Sequence, residues 1–306
     1  MSGLSTKILS PVNLQKNAFL IASALSLTKF LIGNQSGLAN KIANSELDSI
    51  PLEYISKKRV PNYPGHIPLS STEKFALFTS SAIKSFFHPE DGMNIVNLGE
   101  STAITPFLDR LTNTMLSDPV GRQIIRERPN ISENEISMEK LATYPKNSLG
   151  YTFYHWCRTE NVTPDTRAEV KYIDDPLHAF VFKRYRQCHD FYHALVNMPI
   201  IIEGEITIKA LEGANLGVPM AIMGGLFAPL RLKASQRKRL REIYIPWALK
   251  TGWTCKPLIN VYWEKNLDKD INEIRKELGI ELPPNLRELR KKQREERKAI
   301  NSLNSK

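Results

Sequence analysis

The sequence predicts a mainly α-helical fold: a multi-helix single domain with a metal site on a helix pair and a peripheral membrane-contacting segment. Helix-start signals recur, since Ser70 and Glu73 form a capping-box pattern and Asp174 and Asp175 precede Pro176. Candidate helical segments are punctuated by Pro, Gly or Asn, and runs typical of strands are few. The 306 residues, 42% hydrophobic and 24% charged, suffice for one large or two modest globular domains and exclude wholesale disorder.

The elements are expected in the following order. An extended strap that contains Pro61, Pro64 and Pro68 leads into a helix that ends near Phe87. The run of three isoleucines at 200–202 is too short for periodicity to distinguish a helix from a short strand. Further helices are expected near 93–117, 119–128, 147–160, 176–197, 199–216, 233–250 and 264–278, and a charged helical tail follows the two prolines at 283 and 284.

Two acid-free segments account for the whole net charge of +10. Residues 1–45 carry four lysines and residues 231–241 carry six basic side chains, so the rest of the chain is neutral overall. Such local basicity is not a general nucleic-acid-binding face, and the run at 231–241 has neither interleaved aromatic residues nor an RNA-binding motif. No nucleic-acid partner is therefore expected.

The first acid-free segment has the features of a mitochondrial presequence, because it bears Ser and Lys and contains an apolar stretch at 18–33. A secretory signal is the alternative, but Lys29 interrupts the apolar core. Transit peptides favour Arg, and the first one here is Arg59. The three cysteines are widely and irregularly spaced, which predicts neither a disulfide framework nor a CxxC metal site and suits a reducing compartment.

The stretch CHDFYHALVNMPIIIEGE, residues 188–205, concentrates metal-capable side chains in an apolar setting. His189 and His193 are four residues apart, so on a helix their Cβ atoms lie about 5–6 Å from each other and both imidazoles can reach one ion. Glu205 could return as an oxygen ligand, with Asp190 as a further carboxylate. This set suits zinc, and equally iron(II) or manganese. The alternative is a pair of hydrogen-bonded core histidines, although unpaired carboxylates are costly beside so apolar a run.

The other candidates are weaker. His178 shares the helical stripe of the pair, but it lies roughly 16 Å along the helix axis and cannot bind the same ion. Glu203 should face elsewhere on a helix that carries Glu205. The histidines at positions 66, 88 and 155 are expected to serve as caps, turn residues or core contacts.

The same stretch resembles the HDxxH-(x)11-E signature of the ubiquinone (coenzyme Q) biosynthesis protein 4 family. Here it reads HDFYH, eleven residues and then Glu205. The flanking text also resembles that family, in FFHPEDG at 86–92, YIDDPLHAFVFKRYRQCHD at 172–190 and IEGEITIKALEGANLGVPMAI at 202–222. The resemblance covers about residues 62–285, and the chain looks like a fungal mitochondrial member.

This resemblance implies a divalent-metal site, usually taken as zinc, at His189, Asp190, His193 and Glu205. It also implies a mainly helical protein that lies peripherally on the matrix side of the mitochondrial inner membrane, in a multi-subunit complex with other ubiquinone biosynthesis enzymes. The expected organisation is a presequence and linker at 1–45, a helical metal-binding coenzyme Q biosynthesis domain at 46–285 and a charged helical tail at 286–306.

Residues 213–230, GANLGVPMAIMGGLFAPL, carry no charge and lead into the basic run at 231–241. A spanning helix needs about twenty apolar residues, and the glycines and prolines here argue against a regular one. We expect a peripheral anchor, in which basic side chains meet lipid phosphates while apolar ones enter the acyl layer or line an isoprenoid groove. The alternatives are a core helix followed by a solvated basic helix, or a homodimer interface that small residues permit. The apolar candidates are Met220, Ile222, Met223, Leu226 and Phe227.

The substrate that the resemblance implies is a polyprenylated hydroxybenzoate, and the implied activity is that of a lyase: decarboxylation with hydroxylation of the same ring carbon. A metal at His189 and His193 would stabilise the negative charge that develops as carbon dioxide leaves. Glu205 would complete the ligand set, and Asp190 would be a fourth ligand or would orient an imidazole. The rival hypothesis is a non-catalytic lipid-binding scaffold that organises the enzyme complex. A zincin-like hydrolase is disfavoured because Asp190 is shorter than the usual glutamate base.

Overall fold

The computed structural model describes residues 59–87, 92–164, 169–222 and 232–304. The predicted presequence at 1–45 and most of the predicted turn at 88–92 lie outside these ranges. Apart from Arg59, the described residues belong to one unit, residues 60–306. The prediction of a mainly α-helical fold is confirmed, because the named elements of the described ranges are all helices.

Twelve α-helices are named in the described ranges. In chain order they are α1 Ser71–Phe87, α2 Gly92–Thr102, α3 Thr105–Ser117, α4 Pro119–Glu127, α5 Met138–Thr143, α6 Leu149–Glu160, α7 Pro176–Leu195, α8 Ile202–Leu216, α9 Ala234–Arg239, α10 Ile245–Thr254, α11 Ile271–Leu278 and α12 Leu286–Asn304. A π-helical segment, Leu240–Tyr244, joins α9 to α10, and two 3₁₀ turns lie at Leu258–Asn260 and Trp263–Lys265.

Side-chain caps begin the helices where the sequence predicts them. The Ser70 backbone N–H donates to Glu73 Oε2 at 2.6 Å, and the Glu73 N–H donates back to Ser70 Oγ at 3.3 Å, which is the capping box of α1. At α7, Asp175 Oδ1 accepts two first-turn backbone N–H groups at 2.8 Å each. Pro176 occupies the first turn, where its missing N–H costs nothing.

Four segments differ from the prediction. One is α5, a short helix capped by Ser137 that is not among the predicted helices. The helix expected at 93–117 is two helices, because Pro106 in the first turn of α3 has no N–H to donate to a preceding turn and its ring would clash with the carbonyl four residues earlier in a continuous helix. The helix expected at 233–250 contains the π segment, which ends just before Pro246. The helix expected at 264–278 begins only at Ile271, where Asp270 caps it. The isoleucine run forms no strand, since Ile202 is already the first residue of α8.

Helix α7 lies at the centre of the core. Every residue from Gln187 to Leu195 is buried, so this part of the helix has no solvent-facing side. Phe191 stacks between two rings, with centroids 3.9 Å from Phe153 of α6 and 5.2 Å from Trp263. Packing on all sides fixes the orientation of the side chains that α7 contributes to the site described below.

Helix α8 packs closely against α10. A Cβ atom at Gly252 of α10 would lie 2.6 Å from Ala214 Cβ of α8, so only glycine permits this approach. Asn215 ties the two helices together, donating from Nδ2 to the Gly252 carbonyl at 2.9 Å. Contacts with α10 therefore fix the position of the C-terminal half of α8.

The predicted lipid-contacting stretch is only partly described, since residues 223–231 lie outside the ranges. In its described part Leu216, Val218 and Ala221 belong to the core, whereas Ile222 is 51% exposed. The basic run that follows is not wholly a surface feature, because Arg239 is buried and its Nε lies 2.7 Å from Glu203 Oε1. Among the described residues, no helix is both long enough and apolar enough to cross a membrane.

The charged tail forms α12, and its first turn is packed rather than solvated. Leu286 is buried, and Arg290 Nη1 lies 3.5 Å from Glu203 Oε2 at the start of α8. Gln293 accepts a hydrogen bond from Arg239. Beyond that point the helix is largely exposed, as its charge pattern predicts.

Candidate metal centre

A tight reversal between α7 and α8 brings three of the four predicted ligands together. After His193 the chain turns through Asn197, whose backbone adopts the left-handed conformation with φ 54°, and the Met198 N–H donates to the His193 carbonyl at 2.9 Å. Helix α8 then starts at Ile202 and presents Glu205 in its first turn. The i,i+4 spacing on α7 and this short connection place two imidazoles and one carboxylate side by side.

His189, His193 and Glu205 form the cluster. Their candidate ligand atoms all lie within 4.8 Å of one another. The two Nε2 atoms are 3.2 Å apart, His193 Nε2 is 3.3 Å from Glu205 Oε1, and His189 Nε2 is 3.4 Å from Glu205 Oε2. Both imidazoles are buried, whereas the Glu205 side chain is 36% exposed. The cluster therefore opens to the exterior on the side of Glu205.

The partners of the Nδ1 atoms decide which way the imidazole lone pairs point. His193 Nδ1 lies 3.0 Å from the Met198 carbonyl oxygen, which can only accept, so Nδ1 carries the proton. His189 Nδ1 lies 2.5 Å from Glu212 Oε1, a carboxylate that likewise accepts, and this is a closer partner than the Lys209 ammonium at 3.2 Å. In the neutral imidazoles both Nε2 lone pairs then face each other and the Glu205 carboxylate, an arrangement that a cation between them would stabilise.

The spacing of these atoms fits a zinc-sized ion. Zinc–nitrogen bonds of about 2.0–2.1 Å imply roughly 3.3–3.4 Å between neighbouring ligand atoms of a tetrahedral site. The separation is 3.2 Å between the two Nε2 atoms, 3.3 Å from His193 Nε2 to Glu205 Oε1 and 3.4 Å from His189 Nε2 to Glu205 Oε2. Three protein ligands also leave a fourth position open, which is typical of catalytic rather than structural zinc.

Asp190 does not join this group. It is buried, but one residue along a helix turns the side chain by about 100° away from His189. It faces α6 instead: burial, reinforced by the Asp190 charge, raises the pKa of the Cys157 thiol to about 12. The structure thus separates Asp190 from the trio with which the sequence grouped it, and the groups that orient the imidazoles are Glu212 and the Met198 carbonyl.

The remaining candidates lie away from the cluster. His178 pairs with Asp109 at 3.2 Å. Glu203 faces elsewhere on α8, as expected, and binds Arg239. Cys188 neighbours the imidazole pair in sequence, but its surroundings are the Arg184 and Glu264 charges and the Trp263 and Tyr192 side chains.

Glu212 is the site residue that sequence reasoning missed. It follows Glu205 by seven residues, two helical turns, so it shares the same face of α8. A carboxylate at that interval in the run ITIKALEGANL is the signal that could have revealed it. Its role depends on which residues of α7 lie opposite, and periodicity within one helix does not give that information.

Neighbouring groups keep the two carboxylates ionised. Burial raises the pKa of Glu205, but the His193 and His189 imidazoles outweigh it and hold that pKa well below its usual range. Burial also acts on Glu212, yet the Lys209 ammonium and His189 lower its pKa to about 2. At neutral pH the site therefore presents one anionic oxygen ligand candidate, Glu205, and one anionic partner of the His189 imidazole, Glu212.

The Trp156 side chain packs against the His193 imidazole. The Trp156 ring centroid lies 5.4 Å from that of His193, and Trp156 Nε1 donates to the Met198 carbonyl at 2.8 Å. That carbonyl is thus shared between the indole and the His193 imidazole. The packing of Trp156 and the shared carbonyl together fix the plane of the His193 ring.

Comparison with known proteins gives a consistent result. The family model described as coenzyme Q (ubiquinone) biosynthesis protein Coq4 matches residues 63–284. Curated relatives named mitochondrial ubiquinone biosynthesis protein COQ4 include one from Vanderwaltozyma polyspora, 56% identical over 294 residues that cover 91% of this chain and 86% of the relative. Another, from Saccharomyces cerevisiae, is 54% identical over 310 residues that cover 95% of this chain and 92% of the relative.

A solved structure supports the fold alone. A protein from Nostoc punctiforme, described as a ubiquinone biosynthesis protein, superposes with a TM-score of 0.53. The superposition covers 68% of this chain and 95% of the Nostoc chain. Its sequence is only 19% identical.

Proposed function

The chain belongs to the coenzyme Q (ubiquinone) biosynthesis protein Coq4 family and acts in coenzyme Q biosynthesis, and from that premise we propose that it is a metal-dependent decarboxylase. Its substrate would be a polyprenylated hydroxybenzoate, and the ring carbon that loses the carboxylate would be hydroxylated. The observation that carries the proposal is the open trio of His189, His193 and Glu205: the two Nε2 atoms are 3.2 Å apart, and each lies 3.3–3.4 Å from one oxygen of the Glu205 carboxylate.

His189, His193 and Glu205 would hold the divalent ion, with zinc the first candidate and iron(II) or manganese the alternatives. When bound, such an ion supplies a Lewis acid that stabilises negative charge on the ring as carbon dioxide departs. The protein contributes orientation: Met198 and Glu212 hold the Nδ1 protons, so both Nε2 atoms remain available as ligands. The substrate carboxylate would approach from the exposed side of Glu205, since the imidazoles are buried.

The overall conversion balances with two co-substrates. The bond between the ring and the carboxyl group breaks and carbon dioxide leaves. One oxygen atom of dioxygen becomes the new ring hydroxyl, and the other leaves as water with two electrons from a reductant and two protons. Zinc has no redox chemistry, so with zinc the dioxygen would react with the substrate itself, whereas iron(II) suits a direct role in oxygen chemistry.

A structural ion in a scaffold would require a different ligand set. Structural zinc usually has four protein ligands, often including Cys. The described trio has three and contains no Cys. This difference favours catalysis over the alternative of a non-catalytic organiser of the enzyme complex.

We also infer peripheral attachment to the matrix side of the mitochondrial inner membrane, in a complex with other ubiquinone biosynthesis enzymes. The relatives are named as mitochondrial proteins, and exposed apolar side chains include Phe75 at 62% and Ile222 at 51%. Co-sedimentation with anionic lipid vesicles should weaken in Ile222→Asp and persist in Ile300→Asp, an isoleucine that is 55% exposed in α12. Unchanged co-sedimentation of Ile222→Asp would show that Ile222 does not contribute to vesicle binding.

The test of the activity is release of labelled carbon dioxide from a short-tailed prenyl hydroxybenzoate labelled at the carboxylate. The full chain is assayed with zinc, iron(II) or manganese, in the presence of dioxygen and a reductant. Release should require the metal and should be lost in His193→Ala, whereas His178→Ala should retain it because that histidine pairs with Asp109 outside the site. Stoichiometric metal binding without release under any of these metals would favour the scaffold.

A further inference from the structure

We propose that Glu212 is a positioning residue that holds the His189 imidazole in the orientation and tautomer needed to bind the metal, and that Tyr185 and Lys209 in turn hold Glu212. The inference rests on the proposed function only in requiring that the site binds a metal. It concerns a residue outside the HDxxH-(x)11-E pattern, two turns beyond its last member.

Both oxygens of the Glu212 carboxylate have hydrogen-bond partners. Its side chain has no exposure, and its Oε1 lies 2.5 Å from His189 Nδ1. Its Oε2 accepts from the Tyr185 hydroxyl at 2.8 Å and from Lys209 Nζ at 2.7 Å. One oxygen is thus devoted to the imidazole and the other to two donors, which leaves the carboxylate little freedom to rotate.

Charge neutralisation alone does not explain this arrangement. Lys209 is three residues before Glu212 on α8 and compensates the buried charge through Oε2, and its Nζ also lies 3.2 Å from His189 Nδ1. That compensation does not require the 2.5 Å contact between the other oxygen, Oε1, and His189 Nδ1. The Tyr185 hydroxyl comes from α7, one turn before His189. Two residues of α7, Tyr185 and His189, and one of α8, Lys209, therefore contact the Glu212 carboxylate, and these contacts fix the plane of the His189 imidazole.

A second buried carboxylate on the same helix serves as a natural control. Glu203 also has no side-chain exposure, but its partners are Arg239 at 2.7 Å, Gln236 at 3.2 Å and Arg290 at 3.5 Å. None of these touches the imidazole pair. Glu203 secures the elements that follow α8, whereas Glu212 faces the site.

The experiment measures zinc affinity in the full chain by competition with a chromophoric chelator, without substrate. Glu212→Gln should bind zinc about 10–100-fold more weakly than wild type, the usual loss when a carboxylate partner of a metal-bound imidazole is removed. Glu203→Gln should retain wild-type zinc affinity while its melting temperature falls. Equal zinc affinity in Glu212→Gln and wild type would overturn the inference.

A gentler variant covers the case in which Glu212→Gln does not fold. Tyr185→Phe removes one donor to Glu212 and leaves the carboxylate in place, so zinc affinity should fall a few-fold; unchanged affinity would overturn the inference. The outcome is separable from that of the proposed function. Zinc binding that weakens in Glu212→Gln, in a protein that never releases carbon dioxide, supports the positioning role and contradicts only the decarboxylase.

Discussion

Replacing Gly204 with alanine should disturb the metal centre although Gly204 is not a ligand. Gly204 lies between Glu203 and Glu205 in the first turn of α8, and its backbone is not in the left-handed region, so alanine introduces no dihedral strain. The difficulty is space: an added Cβ would lie 2.0 Å from the Pro199 carbonyl oxygen, where real contacts essentially never fall under 3.0 Å. Either the start of α8 or the Met198–Pro199 segment must therefore move by about 1 Å or more.

Both of these segments belong to the site, because α8 carries Glu205 and Met198 accepts from His193 Nδ1. Metal-ligand distances tolerate deviations of about 0.2 Å, so a shift of this size removes or misdirects one ligand. We expect zinc affinity to fall at least about 10-fold. Overpacking should also cost about 1–3 kcal/mol of unfolding free energy, offset by up to about 1 kcal/mol from the higher helix propensity of alanine.

The assay pairs chelator competition with chemical denaturation, and Gly213→Ala is the matched control on the same helix. A Cβ at Gly213 would meet the Ile222 Cγ1 atom at 3.3 Å, a side chain that is exposed and can move aside. That variant should keep wild-type zinc affinity and lose no stability. Wild-type zinc affinity in Gly204→Ala would show that the turn before α8 does not set the position of Glu205, and would refute this reasoning.

Three further predictions concern the helix that carries the imidazoles and the ion itself. Arg184→Met should lower the free energy of unfolding by about 3–5 kcal/mol, measured by chemical denaturation, because it leaves the Glu264 carboxylate without its cationic partner. The two oxygens of Glu264 accept hydrogen bonds from the buried Arg184 guanidinium at 2.5 and 2.9 Å. The double variant Arg184→Met with Glu264→Leu should recover most of that loss, and a double variant no more stable than the single one would contradict the pairing. Asp175→Ala should cost about 1 kcal/mol by removing the α7 cap, and an unchanged melting curve would show that the cap contributes nothing. Zinc at 100 times its dissociation constant should stabilise the wild type by about 2.7 kcal/mol and leave His193→Ala unaffected, whereas an equal response in both would place the ion elsewhere.

Local features of this fold could be predicted from the sequence because their physics is local. The capping box at Ser70 and the Asp175–Pro176 start of α7 depend on residues within one helical turn, and both are present. The proximity of His189 and His193 follows from helix geometry alone. The break before α3 also has a local signal, Pro106, although the apolar pattern continues on either side of it.

Features that depend on packing between distant segments could not be predicted in this way. Glu212 and Tyr185 meet across two helices, so neither the interval nor the residue type indicates their hydrogen bond. Arg239 was counted with a basic surface run, yet it is buried against Glu203, thirty-six residues earlier in the chain. Asp190 shows the converse: its place in a linear motif suggested a ligand, while the helix turns it towards α6.

The most direct test of the central claim is the zinc content of the purified full chain after dialysis, measured by elemental analysis beside His193→Ala and His178→Ala. The structure predicts about one ion per chain in the wild type and in His178→Ala, and almost none in a folded His193→Ala. Equal zinc in all three, or none in the wild type after loading, would contradict a metal centre formed by His189, His193 and Glu205.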